Sequence, residues 1–270
     1  MFPTRMKSGF SEIGPQQRIG TAIALAAAKT GVDFGYLVNQ AKVESGLDPS
    51  ARARGSSATG LYQFIEQTWL GTVKAHGGAH GLGWAADAIG QGANGRFHVA
   101  DANLRDAILD LRNEPEAASA MAAEFAADNS LFLEERLGRP VEKVDLYLAH
   151  FLGPQGAVHF LAMHDADPAQ AAAHLFPSAA RANRAIFYDK AGVARSLGDI
   201  REHFARKIEG EAFAPSRHAA TSVPIPSSPL EAPSFRPTRC LESDGRIEPI
   251  AKPSAHYARV AYSMLANLGA

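Results

Sequence analysis

In the first three quarters of this chain, apolar residues recur at three- and four-residue spacing, and glycine or proline closes each stripe before it grows long. This pattern constrains the fold more than any other feature: a 3.6-residue period buries one face of a helix, whereas a half-buried strand needs alternation by two. Ile19, Ile23 and Ala26 make the first stripe, and Gly31 stops it. Asp33 is placed to cap a second helix running to about Ser45, and Thr68 to open a third that Gly77-Gly78 closes. Asn113 to Pro115 starts the longest helix, with Ala118, Met121, Phe125 and Phe132 on one face. Pro140 to Leu152 reads as a helix ended by Gly153-Pro154. Pro168, Ser178 and Ser196 stand at helix starts, and Leu197, Ile200, Phe204 and Ile208 give the last stripe. Sustained alternation is scarce. The expected class is all-α or mainly α, in one domain over 15–213 behind an N-terminal extension, 1–14.

Beyond Ala214 the composition changes. Pro215, Pro224, Pro226, Pro229, Pro233 and Pro237 are interleaved with serines, and large apolar residues become rare. Such a stretch buries too little surface to offset its ordering entropy, so 214–253 reads as a disordered linker or tail. Tyr257, Val260, Ala261, Met264, Leu265 and Leu268 then return to helical spacing, which predicts a short amphipathic helix over 254–270. It suits docking on the domain or on a partner, such as an envelope-spanning machine.

Bulk chemistry removes several functions. A formal net charge of −1 gives no basic excess for nucleic acid, and no apolar run reaches the roughly 20 residues that span a bilayer. The single cysteine, Cys240, excludes an internal disulfide framework. Ile19 to Ala28, after Arg5, Lys7 and Arg18, superficially suits an export signal. Glu12 and Pro15 spoil the basic segment, and the helical spacing favours a first core helix instead.

Leu37, Val38 and Ala41 mark the apolar face of the second helix, and continuing by three and four brings Glu44 and Ser45 onto it. A carboxyl at the end of a buried stripe is uncommon, because burying its charge is costly unless it is paired or put to use. Burial favours the uncharged acid, the form able to donate a proton. On spacing alone Glu44 reads equally as a structural glutamate bonded to a helix end or an arginine. The next segment adds to the catalytic reading. Ser56 to Gly60 is small and permissive, and Leu61-Tyr62-Gln63-Phe64 is abruptly aromatic and amide-bearing. Tyr62 and Phe64 offer ring faces for sugars, and the Gln63 amide offers a bond to a sugar substituent.

Glu44-Ser45 followed by Gly60-Leu61-Tyr62-Gln63 resembles the Glu-Ser … Gly-Leu-Met-Gln signature of the soluble lytic transglycosylase family. Val32-Asp33, Asp48-Pro49, Ala51 and Thr68-Trp69 add to the resemblance, which spans about Gln17 to Gly192. It implies a lysozyme-like helical fold and cleavage of the β-1,4 bond between N-acetylmuramic acid and N-acetylglucosamine. Glu44 matches the family's catalytic glutamate and Ser45 its companion serine. Gly60 and Gln63 match the substrate-cleft glycine and glutamine, and Tyr62 stands where methionine is commoner. The segment between the motifs is one residue longer, to be absorbed over Arg52 to Gly55. The third family motif, Ala-Tyr-Asn-Ala-Gly-Pro, is matched in frame by Ala149-His150-Phe151-Leu152-Gly153-Pro154, so a tyrosine has become His150 and an asparagine Phe151. Tyr147, one turn before His150, is placed to replace the missing hydroxyl. Asn183 lies nearest to a further family tyrosine.

The implied mechanism uses one carboxyl. Glu44 protonates the leaving oxygen, then takes the proton of the same sugar's 6-hydroxyl, giving a 1,6-anhydromuramyl end. This removes the need for a second acid, which the Ser56-to-Phe64 loop does not supply. No cofactor or metal is expected: Gly77-Gly78 disfavours a helical pair between His76 and His80, and the five-residue spacing of His159 and His164 puts them on different faces. Arg52 and Arg54 flank the expected cleft as a solvated pair. Peptidoglycan strands are the implied partner, and the periplasm the implied location.

Overall fold

A computed structural model describes residues 14–209. The expected linker 214–253, the stripe over 254–270 and positions 1–13 of the N-terminal extension lie outside the described residues.

Helix α1 (Pro15–Thr30) starts on a proline, whose missing N–H costs nothing there, and stops where Gly31 turns left-handed. Ile19, Ala22, Ile23, Ala26 and Ala27 are buried, so the apolar stretch that superficially suited an export signal is a core helix. Its main neighbour is α6 (Pro115–Leu137), and it also packs on α2 (Phe34–Ser45). Between them the chain makes α3 (Glu66–His76), a 3-10 turn at Gly77–His80, α4 (Gly83–Ala88), a hairpin of β1 (Ile89–Gln91) and β2 (Phe97–Val99), and α5 (Ala102–Asp110). After α6 come α7 (Lys143–Leu152), α8 (Pro154–Ala166), three short helices α9 (Ala172–Leu175), α10 (Pro177–Ala182) and α11 (Arg184–Phe187), and α12 (Leu197–Glu209). The described residues are mostly helical, as the spacing predicts. None of their helices is long and apolar enough to cross a membrane.

Two helices organise the packing. α1, α3, α7 and α8 gather on α6, and α6, α8 and α12 gather on α7. The terminal stripe of Leu197, Ile200, Phe204 and Ile208 is fully buried, with Phe204 meeting Tyr147 and Phe151 edge-on. Ser196 caps α12 reciprocally with Asp199.

Several boundaries differ from the sequence reading, each for a local reason. α3 begins at Glu66 rather than Thr68, and its Gln67 side chain bonds both backbone groups of Phe97 and so completes the edge of β2. α7 begins three residues after Pro140, where the Asp145 carboxylate accepts the Glu142 N–H. Gly153-Pro154 ends one helix and starts another, because proline suits a first helical turn. Pro168 opens a turn rather than a helix. On α6 the buried positions include Ala118, Met121, Ala126 and Leu133, while Phe125 and Phe132 lie half-buried at the flank.

Candidate active site

Glu44 occupies the last turn of α2. Asp33 starts that helix by accepting the Tyr36 N–H at 2.7 Å, and the Lys143 ammonium sits 2.8 Å from the same carboxylate. The Lys143 bond holds Asp33 below its usual carboxylate range and ties the start of α2 to the start of α7. Gly46 ends α2 in the left-handed region, and Leu47 follows at φ 66°. Tyr36, Leu37, Gln40, Ala41 and Glu44 form the buried face. The Glu44 carboxyl is enclosed.

Two residues of α7 meet it. The Tyr147 hydroxyl donates to Glu44 Oε1 at 3.4 Å, and His150 Nε2 lies 3.3 Å from the same oxygen. Both are long contacts. The His150 approach is close by distance but too oblique for a hydrogen bond. Burial, then the charge of Glu44, holds the Tyr147 hydroxyl well above its usual range, so it remains a neutral donor. The same two causes act on Tyr36, which also feels Tyr62. On its other side His150 Nδ1 faces the Gln40 amide nitrogen at 3.3 Å. The structure thus brings together Glu44, Tyr147 and His150 as the sequence suggests. It adds Gln40, which sequence reasoning missed, although its place one helical turn before Glu44 was a signal.

The segment after α2 is built differently. Gly60 N–H donates to Ala51 O at 2.8 Å, and Thr59 N–H to Phe64 O at 3.2 Å. The Ser45 hydroxyl sits between Leu61 O at 2.8 Å and Ala41 O at 3.0 Å, pinning this segment to α2. Gly60 was expected to let a ligand approach. It lets backbone approach instead: a Cβ there would lie 1.9 Å from the Arg112 carbonyl oxygen, at φ 83°. Gln63 was expected to bond a sugar, but its amide N–H groups go to Ala51 O at 3.1 Å and Gly60 O at 2.9 Å, holding its own left-handed backbone at φ 47°. Tyr62 and Phe64 were expected to present ring faces. Both are core, Phe64 packing edge-on to Trp69 and Phe125. The chain turns at Arg54-Gly55, with Gly55 at φ 86°.

Arg112 joins this segment to the turn between α5 and α6. Its guanidinium donates to Leu109 O at 2.8 Å, Ser57 O at 2.7 Å and Phe64 O at 3.1 Å. Arg52 and Arg54 are exposed, as expected of a solvated pair.

Asn183 is buried at the junction of α10 and α11. Its side chain donates to Ala179 O, and no hydrogen bond joins it to the Glu44 cluster among the described residues. The structure does pair two histidines that the sequence kept apart. The 3-10 turn brings both to Glu124, His80 Nε2 at 2.6 Å and His76 Nδ1 at 3.4 Å, with Asp128 at 2.8 Å from His76 Nε2. Among the described residues no group of three or more His, Cys, Asp or Glu side chains is arranged to hold a metal. No model of a known protein family matches this chain.

Proposed function

We propose that this chain is a lytic transglycosylase that cleaves the β-1,4 bond between N-acetylmuramic acid and N-acetylglucosamine in peptidoglycan. The observation that carries the reading is the setting of Glu44: a buried carboxyl whose Oε1 faces two neutral-capable donors while Oε2 has no partner among the described residues. Its hydrogen-bond and ion-pair partners are a tyrosine and a histidine, with no acidic side chain among them. The one-acid route needs only this carboxyl, because the sugar's own 6-hydroxyl takes the place of an activated water.

In that route protonated Glu44 gives its proton to the glycosidic oxygen. The bond from that oxygen to the muramic anomeric carbon breaks, and the electron pair leaves on the oxygen. The substrate's own N-acetyl group stabilises the charge on the carbon. Glu44, now a carboxylate, takes the proton of the same sugar's 6-hydroxyl, whose oxygen closes on the anomeric carbon. The product is a 1,6-anhydro end, and no water is consumed. Glycan strands would be the partner, and the periplasm, where they lie, the site of action.

One observation favours a second reading. The Glu44 carboxyl is enclosed, and Gly60, Tyr62 and Gln63 make inward contacts. An enclosed acid and inward-turned motif residues fit weak turnover, as in a catalytically weak glycan-binding or assembly protein. Digestion of purified sacculi, with mass spectrometry of the new ends, separates the readings. Anhydro ends support the proposal, and reducing ends mean a hydrolytic muramidase in which Glu44 activates water. Binding without new ends supports the second reading. Glu44→Gln, which removes the donatable proton and keeps the shape, is expected to lower cleavage about 10²- to 10⁴-fold with unchanged circular dichroism.

A further inference from the structure

Three buried polar atoms in the Glu44 cluster have no hydrogen-bond partner among the described residues: Gln40 Oε1, Glu44 Oε2 and His150 Nε2. Leaving such groups unpaired costs stability, so three in one cluster need an explanation. His150 links them. An amide nitrogen only donates, so Gln40 Nε2, 3.3 Å from His150 Nδ1, requires that Nδ1 be bare. A neutral imidazole bare at Nδ1 carries its proton on Nε2. That proton faces Glu44 Oε1, the oxygen that already accepts from Tyr147. The contact is not aligned in this structure, and hydrogen bonds at catalytic sites commonly tighten when substrate binds. An oxygen that accepts from Tyr147 and faces a second N–H 3.3 Å away is a poor place for a further proton. The acid proton then belongs on Oε2.

We propose that Gln40 is a positioning residue for Glu44, acting through His150. Its amide fixes His150 as an Nε2–H donor, which with Tyr147 commits Oε1 as an acceptor and leaves Oε2 as the oxygen that exchanges a proton with substrate. The inference rests on the glycan-cleaving reading for its consequence, but not for its hydrogen-bond pattern. If the amide were turned over, with Oε1 against Nδ1, the ring would carry its proton on Nδ1 and the assignment of Oε2 would lapse.

The test uses the full-length chain with ¹⁵N-labelled histidine, whose long-range proton–nitrogen spectra report the ring tautomer, together with turnover of a soluble peptidoglycan tetrasaccharide. The wild type is expected to show His150 as the Nε2–H tautomer. Gln40→Met, of similar size but unable to donate, should release that tautomer. It should lower kcat roughly ten- to hundredfold, with KM within about twofold. Gln40→Glu keeps the shape but offers only acceptors when ionised; it should move the proton to Nδ1 and cause a similar loss. An Nδ1–H tautomer in the wild type overturns the proposal without any activity measurement. Wild-type turnover in both folded variants overturns it too, because a side chain that merely fills space would behave so. A wild type with the Nε2–H tautomer and no cleavage overturns the glycan-cleaving reading while supporting the hydrogen-bond assignment.

Discussion

The two stretches that carry the sequence motifs differ in how they treat polar atoms. Around Glu44, on α2 and α7, Gln40 Oε1, Glu44 Oε2 and His150 Nε2 are buried and unpaired. Along the segment from Ala51 to Phe64, the Gln63 amide donors, the Ser45 hydroxyl from α2 and Arg112 Nη1 bond backbone carbonyls. Tyr62 departs from that pattern, since its buried hydroxyl approaches Ser119 without an aligned bond. A polar group whose bonds are complete inside the protein holds the fold, and one left incomplete is available to a ligand. By this measure the first region is the candidate site and the second is the frame beside it.

Gly60→Ala attacks the frame where it is least tolerant. The added carbon would meet the Arg112 carbonyl at 1.9 Å from a left-handed backbone. A loss of about 3–5 kcal/mol is expected, read as a large fall in the denaturation midpoint. A variant as stable as the wild type would show that the frame yields and would end the contrast.

Gln63→Met sharpens the same comparison. It deletes two bonds to backbone carbonyls, so stability should fall by about 1–3 kcal/mol while turnover per folded molecule stays unchanged. Turnover lost at full stability would return Gln63 to the role that the family resemblance implies.

On the site side, Tyr147→Phe removes one donor to Glu44 and nothing from the apolar packing against Phe204. About tenfold lower turnover, equal to roughly 1.4 kcal/mol, is expected with little change in melting temperature. A shift in stability alone would place Tyr147 in the frame.

The smallest effect concerns the tie between the two helices of the site. Asp33 is held below the ordinary aspartate value of 3.8, chiefly by Lys143. Its contribution is therefore present above pH 3.8 and is lost as pH falls through the lower folded value. The pair is about half exposed, so screening keeps it under about 1 kcal/mol. Thermal melts of wild type and Asp33→Asn across pH 2.5 to 6 should converge at the acid end, and parallel curves would remove the tie.

The sequence by itself determined the helical class, the ends of α1 and α2, the stripe of α12 and the burial of Glu44. Each depends on residues within a few positions of one another: the turn that Gly31 or Gly46 permits, the cap that Asp33 provides, the spacing that turns a side chain inward. His150 was legible as a candidate from the resemblance of its frame to the family's third motif, and Tyr147 because it stands one helical turn before it. Only the tertiary structure decided which polar groups meet. Gln40 joins His150 across 110 positions, and Arg112 joins Ser57 across 55. Gly60 reads in sequence as room for a ligand, and the fold fills that room with the Arg112 carbonyl. Periodicity records which face a side chain takes, since helix geometry fixes that locally. It holds no record of what stands opposite, because that depends on how helices distant in sequence pack together.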